Sequence, residues 1–150
     1  MEGADDAVAA TIAAEHARLE MYLGNAAAAL SHLRRALSAQ ERAEFRLFKA
    51  LVQVWCGEWG AAQATVAKIT PETVPLFYRP TLAALSSVLE GQEAGAELDQ
   101  VLAQRPYDPA GWLLAAGHAW RRGDDGWRTR LEEGRKATGS TFLLDPRWTP

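Results

Sequence analysis

The sequence predicts an all-α domain, and three observations carry that prediction. Gly24, Gly57, Gly91 and Gly123 recur at intervals of 33, 34 and 32 residues, each between two stretches patterned as short amphipathic helices. An alanine stands seven residues before each glycine (Ala17, Ala50, Ala84, Ala116), and another stands five residues after the first three (Ala29, Ala62, Ala96). Alanine-rich runs such as Ala26 to Ala29 favour helix, whereas the alternation of a half-buried strand is scarce. A period of this size marks an array of about four antiparallel helix pairs, with small residues where the two helices of a hairpin approach closely.

The first helix is expected to start near Asp5 or Asp6 and run to Leu23, where Gly24 stops it by taking a positive φ. Its partner runs from about Ala26 to Ser38, with Asn25 as a suitable cap. Glu41 to Cys56 and Trp59 to Ile69 form the second pair around Gly57, although Glu58 is a poorer cap. Thr70-Pro71-Glu72 has the form of a helix start, but Pro75 and Pro80 cannot both lie inside a regular helix without cost. Pro71 to Arg79 is therefore predicted as a turn-like connection with room for one helical turn. The third pair is Pro80 to Glu90 and Glu93 to Gln104. Asp108-Pro109 opens the next helix, with aspartate as cap and proline in the first helical position, and this helix reaches Arg122. The last helix runs from about Asp125 to Ala137 and stops at Gly139. Twelve residues past each glycine an apolar contact is expected, met by Ala36, Ile69 and Ala103. Arg135 and Arg128 break the pattern in the fourth unit, as befits a terminal repeat with a wetter outer face.

These residues resemble the tetratricopeptide repeat (TPR) family over nearly the whole chain. Ala17, Leu23-Gly24-Asn25, Ala29, Leu33 and Ala36 match its pattern in the first unit, and Ala50, Gly57-Glu58-Trp59 and Ala62 in the second. Ala84, Gly91-Gln92, Ala96 and Ala103 match in the third, and Trp112, Ala116 and Gly123-Asp124 in the fourth. The family's large aromatic early in the first helix survives as Trp112, while Ala13, Arg46 and Pro80 hold the equivalent places. The resemblance implies a right-handed superhelical solenoid whose first helices line a concave groove. Its groove-facing positions fall on Arg18, Met21 and Tyr22, then Leu47, Leu51, Val54 and Trp55. Tyr78, Leu85, Val88 and Leu89 follow, then Leu113, Trp120 and Arg121. This lining is more apolar than charged, which suits an amphipathic helix or an apolar extended segment. The lysine and asparagine clamp with which some members hold a C-terminal carboxylate is absent.

Composition narrows the function. A formal net charge of -3 does not provide the basic surface that nucleic acid needs. The acidic start, Glu2, Asp5 and Asp6, lacks the features of a secretory signal, and no apolar run approaches the roughly 18 residues of a membrane span. A lone cysteine, Cys56, makes no internal disulfide, so a cytoplasmic location is expected. Cys56 has no lysine or arginine immediately beside it and reads as an inert thiol. His16 and Glu20 share a helical face but lack a third ligand, with His32 and His118 assigned to other hairpins. No phosphate-cradling glycine loop is present, so neither catalysis nor a metal or other cofactor is expected.

Residues 1–139 are thus expected to form the repeat domain, and residues 140–150 an extended apolar tail packed on it. The tail carries Phe142, Leu143, Leu144 and Trp148 between two prolines, more apolar surface than a free end holds. Either it folds back over its own domain, with Phe142, Leu144 and Trp148 in contact, or it docks in the groove of another copy. The expected function is a non-catalytic protein–protein interaction scaffold that binds a peptide or helix in its groove. The alternative is a self-associating regulatory or assembly module, similar to the repeat domains attached to bacterial transcription regulators.

Overall fold

A computed structural model of the chain describes residues 2–139 and 144–148. Among them are eight α-helices and no strand: α1 (Glu2–Tyr22), α2 (Ala26–Ala39), α3 (Ala43–Trp55), α4 (Trp59–Ala67), α5 (Arg79–Leu89), α6 (Gly95–Gln104), α7 (Pro109–Arg121) and α8 (Trp127–Thr138). Each helix packs against its neighbours in sequence, and α7 also meets α5 and α3. No helix among the described residues is long and apolar enough to cross a membrane.

The four glycines end α1, α3, α5 and α7 in one way. Their φ values lie between 72° and 76°, a region that strains any side chain bearing a Cβ. At each turn the glycine N–H donates three residues back and the next N–H donates five residues back, as in Gly57 to Val54 and Glu58 to Gln53. The helix therefore closes its last carbonyls and reverses within a few residues.

The matched alanines of the first helices are all fully buried: Ala17, Ala50, Ala84 and Ala116. In the second helices Ala29 and Ala62 are also fully buried, but Ala96 and Ala103 are exposed, contrary to expectation. The reason is a shift of register. The inward stripe of α2 is Ala29, Leu33 and Ala36, spaced four and three residues apart, and the same spacing recurs as Ala62-Val66-Ile69, Ala94-Leu98-Val101 and Trp127-Leu131-Gly134. It begins five residues after the glycine in the first two hairpins, but three after Gly91 and four after Gly123. α6 accordingly starts at Gly95 instead of Glu93, with Glu93 Oε1 accepting from the Gly95 N–H. Each buried leucine in these stripes contributes about 2 kcal/mol.

The connection before α5 is two 3-10 turns, Pro71–Thr73 and Leu76–Tyr78. Arg79 ties it down, donating from Nε to the Val74 carbonyl at 2.9 Å and from Nη2 to the Glu72 carbonyl at 2.8 Å. Asp108 caps α7 as expected, accepting from the Ala110 N–H at 2.9 Å. Asn25 and Glu58 precede their helices without a side-chain cap.

Candidate functional site

Two places on the molecule bring candidate side chains together. The first is the cradle that holds residues 144–148. Leu144 is fully buried, near Gly134 and Trp112, and its carbonyl accepts from Arg135 Nη2 at 2.5 Å. From there the chain crosses to the end of α3, where the Arg147 N–H donates to the Trp55 carbonyl at 2.9 Å. Trp55 Nε1 donates to the Asp145 carbonyl at 3.0 Å, and the Arg147 guanidinium lies 4.7 Å from the centre of the Trp55 ring. Arg147 Nη2 reaches the Gly24 carbonyl at 3.0 Å, so five residues join the last hairpin to the first two.

Trp148 is the anchor of this segment. Its Nε1 donates to the Val54 carbonyl at 2.7 Å, and its ring centre lies 5.4 Å from Trp59, 5.8 Å from Trp120 and 6.0 Å from Trp127. Four tryptophans from α4, α7, α8 and the tail thus form one cluster. One glycine makes room for it: a Cβ on Gly117 would stand 3.1 Å from Trp59, whereas one on Gly57 would make ordinary contact with Trp148 Cδ1 at 3.4 Å.

The second place is a cavity of about 100 Å3 between α1, α3, α5 and the start of α7. Met21, Leu47, Phe48 and Leu51 supply its apolar wall, and Tyr78 meets Phe48 edge to face at 5.4 Å. Its polar groups are Arg18, Thr81, Arg105 and Asp108. Arg105 Nη2 pairs with Asp108 Oδ2 at 2.6 Å, and its guanidinium lies 3.9 Å from the centre of Phe77 and 5.1 Å from that of Tyr78.

The residues expected in a groove divide between these places and the core. Arg18, Leu51 and Tyr78 line the cavity. Trp55 and Trp120 lie at the tail cradle, Trp55 only 4% exposed and Trp120 half-buried, so the open aromatic surface expected there is covered by residues 144–148. Leu85 is fully buried in the core and offers a partner no surface. Arg121 donates to the Val88 and Leu89 carbonyls at 3.0 and 2.9 Å, closing the end of α5. The Tyr22 side chain and Phe142 lie outside the described residues.

Thr81, Arg105 and Arg147 were not singled out by sequence reasoning. The spacing of Arg105 and Asp108 was a readable signal for an ion pair, but nothing local marks Thr81. The histidines need a correction. His16 and His32 belong to one hairpin, eight residues either side of Gly24, and their rings meet edge to face at 5.3 Å. No group of three or more His, Cys, Asp or Glu side chains among the described residues could hold a metal ion. Burial pushes the Cys56 thiol up, the nearby Glu58 charge adds to this, and Arg147 opposes it. That environment disfavours the thiolate a nucleophile needs.

No family model matches this chain, and neither a curated protein nor a solved structure matches it.

Proposed function

We propose that this protein is a non-catalytic interaction scaffold, a TPR-like superhelix of four helical hairpins that binds a peptide or helix along the face made by its first helices. The observation that carries this reading is the way residues 144–148 are held. The segment lies across three hairpins, bonded through its backbone and anchored by one buried tryptophan, which is the manner in which grooves hold peptides. A partner would present a similar segment, with a large aromatic for the tryptophan cluster. The single cysteine and the acidic balance suit a cytoplasmic setting.

The test is a chain ending at Gly139, checked for helix content by circular dichroism and titrated with a synthetic peptide of residues 140–150. Saturable binding, lost when the peptide's tryptophan is replaced by alanine, is the expected result. A helical truncated chain that ignores the peptide would sink the reading.

A second reading, self-association, is favoured by α1. Val8, Ile12 and Leu19 are 59%, 51% and 58% exposed and fall within one arc of its turn, and Leu23 just past its end is 65% exposed. Light scattering separates the two readings. A dimer of the full chain that dissociates on Ile12→Glu and Leu19→Glu substitution supports association through α1, and a monomer at all concentrations removes it.

A further inference from the structure

We propose that α1 pairs with the α1 of a second copy of this chain in an antiparallel, two-fold arrangement, in a register that sets Val8 against Leu23 and Ile12 against Leu19 of the other copy. This inference rests on the self-association reading and is separate from whether a peptide docks along the first helices.

α1 is apolar on two opposite sides. Ala10, Ala13, Ala14, Ala17 and Met21 are buried against the rest of the fold. Val8, Ile12, Leu19 and Leu23 are exposed, and at about 100° per residue they fall within an arc of about 60° roughly opposite that buried side. The Leu23 N–H still bonds the Leu19 carbonyl at 3.1 Å, so Leu23 carries the stripe one turn further. Among the described residues no other α-helix exposes a large apolar side chain. A helix apolar on two sides packs between two neighbours, and the fold covers one side of α1 only.

The spacing of the stripe identifies the second neighbour. Its intervals are four, seven and four residues, so it reads the same from either end. A copy of α1 running the opposite way therefore meets it apolar residue for apolar residue: Val8 comes level with Leu23 and Ile12 with Leu19, and the two-fold axis makes each contact twice. A parallel pair would match any spacing with itself, so the symmetry of the stripe has a consequence for the antiparallel pair alone. Opposed helix dipoles favour the same orientation.

The charges beside the axis agree with it. The axis falls between Glu15 and His16, and Glu15 pairs with Arg18 at 3.4 Å within one copy. In the antiparallel register Arg18 of each copy comes within two residues of the level of Glu15 of the other, about 3 Å of helix rise, on the same flank. The two carboxylates that approach at the axis are thus interleaved with two guanidiniums. The seam is about 22 Å long and makes a small interface, so association is expected at about 10 to 100 μM chain.

The test has two parts. Light scattering of the parent chain at up to about 500 μM reports the dimer. Ile12→Cys and Leu19→Cys, each made in a Cys56→Ala chain whose helix content is checked by circular dichroism, report the register by disulfide formation under copper-phenanthroline oxidation. In the proposed register Ile12 and Leu19 each lie about 10 Å along the axis from their own counterparts, beyond the reach of a disulfide. Mixing the two variants should give the mixed disulfide, identified by mass, at least about tenfold above either self-linked product. Dominant self-linked product would mean a parallel pair, which overturns the proposal and leaves self-association standing. A dimer that links through neither position overturns it too and moves the contact away from this stripe. A monomer at every concentration overturns both the proposal and the reading on which it rests.

Discussion

Trp55 and Trp148 are joined by reciprocal hydrogen bonds, each indole donating to the backbone of the other's segment. Trp148 Nε1 bonds the Val54 carbonyl at 2.7 Å, and Trp55 Nε1 bonds the Asp145 carbonyl at 3.0 Å. The two residues are 93 apart in sequence, yet each satisfies the polar edge of an aromatic ring that is more than nine-tenths buried. The pair fixes where the chain's end crosses the hairpins.

Trp148→Ala is therefore expected to cost about 3 kcal/mol in urea unfolding, since it empties the centre of the tryptophan cluster. Trp148→Phe keeps a ring there but removes the Nε1 bond to the Val54 carbonyl, which keeps its bond from the Gly57 N–H, and should cost about 1 kcal/mol beyond the lost ring area. A stability unchanged by either substitution would mean that the segment contributes nothing to the fold.

Two glycine substitutions should have opposite signs. A Cβ on Gly134 would stand 2.7 Å from Trp112 Cβ and 2.9 Å from Leu144 Cδ1, and Cβ of Trp112 cannot move without its helix. Gly134→Ala should lose about 2 kcal/mol despite the better helix propensity of alanine. Gly60 in α4 meets nothing within 4 Å, so Gly60→Ala should gain about 0.5 kcal/mol. Thermal unfolding of the two variants side by side checks both signs.

Ala62 is fully buried on the inward stripe of α4. Ala62→Leu should destabilise by about 1 to 3 kcal/mol, because the close approach of α3 and α4 leaves no space for three more carbons. If its denaturation midpoint matched that of the parent chain, the hairpin would be packed more loosely than described.

Cys56 carries a pH prediction. Its thiol is raised above the ordinary value of 9.0 by burial first and by Glu58 second, with Arg147 lowering it. A group with a higher pKa in the folded chain holds its proton more tightly there. Its contribution to stability is thus full below the unfolded thiol's pKa and is lost as pH rises past it through the folded value. Alkylation by iodoacetamide at about pH 8.5 should be slower in the folded chain than in denaturant, and Glu58→Gln should speed it. Equal rates in the two states would contradict the raised value.

Much of this fold was legible because its strongest signals are local. Gly24, Gly57, Gly91 and Gly123 had to stand where the backbone turns left-handed, and Asp108-Pro109 had to open a helix. The register of α6 was not legible. Ala96 and Ala103 sit at the expected distances from Gly91, but the helix packs through Ala94, Leu98 and Val101, a choice made by the neighbouring helices. Of the residues assigned to a groove, Arg18, Leu51 and Tyr78 line one cavity, whereas Leu85, on the same helix as Thr81, faces the core.

Helix number, helix ends and the places of close hairpin contact follow from residue chemistry, since a positive φ, a proline start or a row of alanines acts within a few residues of itself. Which distant groups meet follows from how the hairpins are inclined to one another, a sum of many small packing choices that no single residue encodes. That inclination brings α7 against α3, seats Trp148 among the tryptophans of α4, α7 and α8, and places Thr81 and Arg105 on one cavity wall. Leu144 and Trp148 are buried, and the neighbouring helices determine where.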